Sequence, residues 1–256
     1  MSNTDSSWFV CRYPRAFPKI KLFCFPYAGG GSSVYREWDL NHEDIELHAA
    51  LLPGRENRFT EPPISSMEDL IQKLSVAMLE HLDTPFAFFG HSMGALIAYE
   101  LAGKLKSLYG VSPVHLFVSG KSAPQLKQKQ PPINNLPRDI FLERILSFGG
   151  TPKEIIYNQE VLELYEQLLR GDFKLCETYI FNNRELLNCP ITILGGYQDN
   201  TISLGSLEKW NELTTSPSSL KMYAGDHFFI RTQRLKIQQL IYNSLISEKV
   251  ANKGIL

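Results

Sequence analysis

Apolar positions along this chain follow two alternating periods. Short, nearly continuous apolar runs at Lys19–Tyr27, Ile45–Pro53, Pro85–His91, Val114–Gly120, Pro190–Tyr197 and Ser219–Ala224 read as strands. Between them, apolar residues recur at helical spacing: 67, 70, 71, 74, 78, 79 and 82 in one stretch, then Ala95, Ile97, Ala98, Leu101, Ala102, Leu105 and Leu108 in another. The last such stretch, from about Thr232 to Ser247, carries Leu235, Ile237, Leu240, Ile241 and Leu245. Ser65-x-x-Glu68 is the expected capping box of the helix that follows it. Trp8 to Tyr13 is read as a further edge strand. Strands that are apolar throughout and alternate with helices predict a mostly parallel sheet covered on both faces, hence an α/β fold.

One segment breaks the alternation. Between the strand ending near Gly120 and the strand beginning at Pro190 lie helix signals and no convincing strand. Gln125 to Pro132 reads as a polar linker. Ile140, Phe141, Ile145 and Leu146 mark a helix that stops at Gly149-Gly150, and Thr151-Pro152-Lys153-Glu154 has the form of a new helix start. Val161, Leu164, Tyr165, Leu168 and Leu169 continue at helical period. The expectation is a single domain over residues 1–256 with a helical insertion at 122–188. Placed above the carboxyl ends of the strands it forms a lid; the alternative is an extra helical layer away from the site.

Composition narrows the classes without choosing one. An apolar content of 43% supplies a sizeable core, and a net charge of −1 argues against nucleic-acid binding and against attachment to a membrane by charge alone. No secretory signal and no membrane-spanning run is read from the sequence, so a cytoplasmic protein is expected. Cys11, Cys24, Cys176 and Cys189 form no C-x-x-C pair, and Cys24 and Cys189 read as buried thiols. The six histidines have no metal-ligand spacing. Neither a metal nor a dinucleotide is expected, since G-x-G-x-x-G is also absent.

The chemistry is carried by Gly90-His91-Ser92-Met93-Gly94, which stands between an apolar strand and a helix. In that context G-x-S-x-G reads as a nucleophile elbow, the mark of an α/β-hydrolase fold, with an ordinary Gly-Ser turn in an α/β protein as the alternative. A serine hydroxyl needs a base, and the base needs an orienting carboxylate, in the chain order Ser, Asp or Glu, then His. His227 follows the last predicted strand. His42, His48 and His81 precede Ser92, His115 lies within a strand, and His91 belongs to the elbow itself. The acid is Asp199, just beyond Gly195-Gly196, where an Asx-turn role is the alternative. Lys121 and Ser122 leave no carboxylate after the strand ending at Gly120. An oxyanion needs two donors. The main-chain N–H of Met93 is one, and that of Ala28, in Phe25-Pro26-Tyr27-Ala28-Gly29-Gly30-Gly31, is the candidate for the other; alone, that glycine loop could equally bind phosphate.

Taken together, these segments, with Leu52-Pro53-Gly54-Arg55-Glu-Asn-Arg58 and Glu61-Pro62-Pro63, resemble the type II thioesterases that accompany nonribosomal peptide and polyketide synthases. The resemblance implies an α/β-hydrolase with a helical lid that hydrolyses acyl or aminoacyl thioesters from the phosphopantetheine arm of carrier proteins. It implies Ser92, Asp199 and His227 as the triad, Met93 and Ala28 as oxyanion donors, carrier-protein domains as partners, and no cofactor beyond the arm on the substrate. A monomer is the default expectation. The family motif often has two glycines before the histidine; here Asp226 replaces the second, so a carboxylate next to His227 could bias its protonation. Arg55 and Arg58 either meet an acidic carrier surface or form structural ion pairs. Ile140, Phe141, Ile145, Leu164 and Leu168 either shelter the acyl chain or are helix-packing core. Two other functional classes stay open at this point: a carboxylesterase or lipase using the same triad, and an inactive scaffold that binds a synthase.

Overall fold

The structure, a computed structural model, describes residues 8–40, 42–127, 131–150, 157, 159–182 and 185–251. Seven strands form one sheet: β1 (Phe9–Val10), β2 (Ile20–Phe25), β3 (Ile45–Ala50), β4 (Phe86–His91), β5 (His115–Ser119), β6 (Ile191–Gly196) and β7 (Ser218–Tyr223). Their order is β1-β3-β2-β4-β5-β6-β7, with every neighbouring pair parallel except β1 against β3. The chain therefore enters at the edge strand β1, passes over to β2, returns to place β3 between them, and then builds the other half outward from β4. The sheet is that of an α/β-hydrolase.

The unbroken apolar runs have a simple cause. Along β2, Phe23 and Phe25 join one buried cluster while Ile20, Leu22 and Cys24 join another. Strand side chains alternate between faces, so a strand with both faces covered must be apolar at every position. The first face is covered by α1 (Met67–Ala77) and α2 (Met93–Tyr109), and the second by the C-terminal helix Arg234–Ala251, through Ile237, Ile241 and Leu245. Cys24, within β2, and Cys189, just before β6, are buried free thiols.

Local signals need three corrections. The cap of α1 is Ser66, whose hydroxyl accepts from Asp69 N–H at 3.3 Å, and not the Ser65–Glu68 pair. Either serine stands before an acidic residue three places on, and the register of Met67, Leu70, Ile71 and Leu74 against the core selects the later one. The helical run from Met67 does not continue to Leu82 as α-helix; it tightens into a 3₁₀ turn at Met78–His81. The edge strand shrinks to Phe9–Val10.

Between β5 and β6 the described residues hold α3 (Arg138–Ser147) and α4 (Gln159–Glu177) and no strand of the sheet. Helix α3 ends at the predicted glycine: Gly149 takes φ +73° and its N–H returns to the Leu146 carbonyl at 3.0 Å. The expected helix start at Thr151–Glu154 lies outside the described residues, as does part of the Gln125–Pro132 linker. Phe141, Ile145 and Leu169 pack together in a small cluster of their own with Ile133, whereas Ile140 and Leu164 are exposed. Among the described residues, no helix is long and apolar enough to cross a membrane.

Candidate active site

Ser92 sits between β4 and α2 with φ 53° and ψ −114°. A non-glycine residue at positive φ is strained by about 1–3 kcal/mol, so the surrounding structure must hold it there. It does so by hydrogen bonds and by close approach. Ser92 N–H donates to the Ser119 carbonyl at the end of β5 (2.8 Å), and Ala95 N–H closes the turn onto the Ser92 carbonyl (3.1 Å). A Cβ on Gly90 would lie 2.1 Å from the Gly94 carbonyl oxygen, and one on Gly94 would lie 1.9 Å from the Phe25 carbonyl oxygen. Both glycines of G-x-S-x-G are thus demanded by main-chain contacts that any side chain would break.

Two other strand ends bring the acid and the imidazole together. Beyond β6 and β7 the loops are joined by Tyr197 N–H to the Tyr223 carbonyl (2.8 Å) and Gln198 N–H to the Gly225 carbonyl (3.0 Å). Asp199 Oδ2 then lies 2.7 Å from His227 Nδ1. Its other oxygen, Oδ1, accepts from Thr201 N–H (2.9 Å) and from the Thr201 hydroxyl (2.5 Å). The Asx-turn reading and the imidazole-orienting reading of Asp199 are both correct, because the carboxylate has an oxygen for each. Burial pulls this carboxyl upward, but hydrogen bonding and charge from His227, with the two Thr201 donors, more than offset it and hold it below the usual carboxylate value. An ionised Asp199 must accept, so Nδ1 carries the proton and Nε2 is left with the lone pair.

His91, next to the serine, is fully buried, and its ring lies 5.1 Å from that of His227. Its Nδ1 is 2.9 Å from Ser119 Oγ. Burial first, and the neighbouring His227 second, push it well below the ordinary imidazole value, so it stays neutral and acts as packing beneath the site. Among the described residues no hydrogen bond joins the Ser92 hydroxyl to His227. Such bonds commonly tighten when substrate binds. Asp226 Oδ1 accepts from Phe228 N–H at 2.8 Å, and among the described residues no hydrogen bond joins this carboxylate to the imidazole.

The loop after β2 is a tight turn. Gly30 N–H donates to the Tyr27 carbonyl at 2.9 Å with Gly29 at φ +78°, the signature of a type II turn with Ala28 and Gly29 at its centre. The Tyr27 carbonyl faces into the turn, so the N–H of Ala28, on the opposite side of the same trans peptide, faces out of it. The N–H of Met93 opens α2, where no preceding turn of helix supplies an acceptor. Downstream, Glu56 Oε1 accepts from Ser33 N–H at 2.8 Å and Oε2 from the Ser32 hydroxyl, so the loop is held on that side too.

The two arginines of the Pro53–Arg58 stretch are buried, 5% and 6% exposed, and offer no surface to a carrier. Arg58 pairs with Glu61 (2.6 Å) and lies 4.5 Å over the Trp8 ring. Arg55 pairs through both terminal nitrogens with Asp172 of α4. Sequence reasoning also missed Thr201, Asp172 and Arg231. Thr201 had a legible signal, an Asx turn two residues after its aspartate. Asp172 and Arg231 had none. The Arg231 guanidinium binds the Tyr27 hydroxyl (2.8 Å) and the Gly150 carbonyl (3.0 Å), joining the glycine loop to the insertion.

A strained serine at a strand–helix turn, with an aspartate–histidine pair on neighbouring strand ends of this sheet, defines the class: a serine hydrolase of the α/β-hydrolase fold. The thioesterase domain family model matches residues 20–243, and the chain belongs to the thioesterase family. It is 39% identical to the gramicidin S biosynthesis protein GrsT of Aneurinibacillus migulanus, over 94% of either chain. The identity is also 39% to the protein named linear gramicidin dehydrogenase LgrE of Brevibacillus parabrevis, over 98% of this chain and 97% of the relative. This chain carries no G-x-G-x-x-G fingerprint for a dinucleotide, and the family it matches is the thioesterase domain. Among solved structures, the type II thioesterase BorB from the borrelidin biosynthetic cluster superposes with a TM-score of 0.85 at 28% identity, over 93% of this chain and 97% of BorB.

Proposed function

We propose that this thioesterase hydrolyses acyl or aminoacyl thioesters from the phosphopantetheine arm of carrier domains in a nonribosomal peptide or polyketide synthase, clearing unproductive groups and restoring the free thiol. The observation that carries the reading is the 2.7 Å Asp199–His227 contact beside the strained Ser92. In this reading Ser92 Oγ attacks the thioester carbon as His227 Nε2 takes its proton. The N–H groups of Ala28 and Met93 receive the oxyanion. Collapse breaks the carbon–sulfur bond, and the imidazolium returns the proton to the departing pantetheine sulfur. A water, deprotonated by His227, then attacks the acyl-serine; release of the acid regenerates Ser92. The arm belongs to the substrate, and no cofactor enters the cycle. The 122–188 insertion serves as the lid, with Arg231 and Asp172 tying it to the glycine loop.

Support for the carrier-bound substrate comes from the relatives: GrsT is named for gramicidin S biosynthesis, and BorB is a type II thioesterase of a biosynthetic cluster. The test loads a carrier domain with acetyl or aminoacyl pantetheine and follows release by mass spectrometry. Release above a Ser92→Ala control is expected, and none would refute the proposal. A second acyl class has its own observation, 37% identity to the medium-chain S-acyl fatty acid synthase thioesterase of Rattus norvegicus. A chain-length panel on the same carrier separates the two, since a medium-chain enzyme loses acetyl turnover first.

A further inference from the structure

Resting on the oxyanion role proposed for Ala28, we infer that the buried Asp172–Arg55 pair is a positioning device for that donor, built from the insertion rather than from the sheet. The geometry is specific. Asp172 Oδ2 accepts from Gly29 N–H at 2.7 Å, and Arg55 Nη1 donates to the Gly30 carbonyl at 2.8 Å. The two side chains bind each other bidentately, at 2.8 and 3.0 Å, with side chains 2% and 4% exposed. Between them they hold one main-chain group on each of two consecutive residues of the turn, and the next N–H upstream is that of Ala28. Tyr27 O to Gly30 N–H fixes the third.

A type II turn differs from a type I turn mainly by a flip of its central peptide, here the unit joining Ala28 to Gly29. That flip would take Gly29 N–H away from Asp172. The carboxylate therefore selects one of two turn states; the direction of the Ala28 N–H comes from the Tyr27–Gly30 bond, and the Asp172–Arg55 pair sets where the turn that carries it is seated. Space keeps the residue a glycine: a Cβ on Gly29 would meet Tyr165 Oη at 2.5 Å and Leu169 Cδ2 at 2.7 Å, both from α4. Helix α4 is thus the outer wall of the glycine turn. A charged pair so fully desolvated strengthens its hydrogen bonds to the main chain, and leaves a costly orphan when either partner is removed.

It follows that the part of α4 around Asp172 stays with the sheet while substrate enters.

The turn itself offers the test. Ala28 occupies the position of a type II turn where proline is favoured, so Ala28→Pro deletes the donor N–H while keeping the turn. We expect Ala28→Pro to lower kcat about a hundredfold. Asp172→Ala should lower it at least tenfold with KM within about threefold, since the missing interaction is made in the transition state. The double variant should fall no further than Ala28→Pro alone, because Asp172 acts through the donor already removed. Rates are expressed per Ser92 titrated to completion with a fluorophosphonate, so misfolded protein does not count. If Asp172→Ala does not fold, Asp172→Asn enters the same cycle, keeping the volume and one acceptor oxygen. Multiplying effects in the double variant, or an unchanged kcat per titrated site in the Asp172 variant, would overturn the inference. Wild-type protein that turns over p-nitrophenyl esters through Ser92 but leaves carrier thioesters intact would refute the proposed substrate alone, and the cycle is then read on the ester.

Discussion

Replacing Gly94 by alanine perturbs the site through two opposed effects, and the coordinates decide between them. In an ordinary helix the change stabilises by about 1 kcal/mol, because glycine is the poorer helix former. Here the new Cβ would lie 1.9 Å from the Phe25 carbonyl oxygen, 2.5 Å from its carbon and 2.8 Å from the Pro26 carbonyl oxygen. All three are main-chain atoms, so no side chain can swing aside. Reaching ordinary contact requires opening the α2–β2 junction by about 1.5 Å, at the upper end of the overpacking cost, about 3 kcal/mol. The net loss is about 2 kcal/mol, which for a chain of this length lowers Tm by roughly 4–8 °C. The same displacement separates the Ser92 turn from the Phe25–Gly31 loop, and a 1 Å error in such a constellation costs on the order of a hundredfold in rate. The assay pairs thermal unfolding with turnover of an acyl-carrier thioester. Gly205→Ala is the control, since its Cβ meets nothing within 4 Å; it should be as stable as wild type or more so. Gly94→Ala that melts within about 2 °C of wild type and keeps its rate would refute the steric account of the elbow.

Asp199→Asn keeps the shape of the carboxylate but lets His227 adopt the other tautomer; kcat should fall on the order of a thousandfold or more, with the fold retained by circular dichroism. Thr201→Val removes one charge-assisted hydrogen bond from that carboxylate, worth about 1.5 kcal/mol, so kcat should fall about tenfold. Because the folded-state value of Asp199 lies below its unfolded one, its contribution to stability is present above the usual carboxylate range and disappears as pH falls through the folded value. His115 works over a different window: burial lowers it from 6.5 to about 4, so the unfolded chain binds its proton first, and stability should drop by ~3 kcal/mol from this residue between those pH values. Urea unfolding at pH 7 and pH 4.5 measures the slope, and His115→Gln should flatten it.

Much of the site was legible because it is local chemistry at strand ends. The elbow is five consecutive residues whose glycines answer to main-chain atoms nearby, and chain order by itself excludes His42, His48 and His81. The arginines of the Pro53–Arg58 loop were not legible in this way. The same two side chains suit a docking face or an interior pair, and only burial against Asp172 and Glu61 decides. The apolar residues of the insertion divided likewise: Phe141, Ile145 and Leu168 are buried, Ile140 and Leu164 exposed, although all five share one periodicity.

Periodicity, glycine placement and motif order determined by themselves the alternating α/β architecture, the strand–turn–helix around Ser92 and the candidate acid and base. These features depend on steric rules that act over a few residues and are therefore written in a few residues. Tertiary structure alone decided which oxygen of Asp199 faces His227, which main-chain groups Asp172 and Arg55 hold, and that Arg231 ties the glycine loop to Gly150. Those contacts join residues 28, 143, 25 and 81 positions apart. Pairings at such separation are set by how whole elements pack, and no local pattern records which distant partner a buried charge will meet.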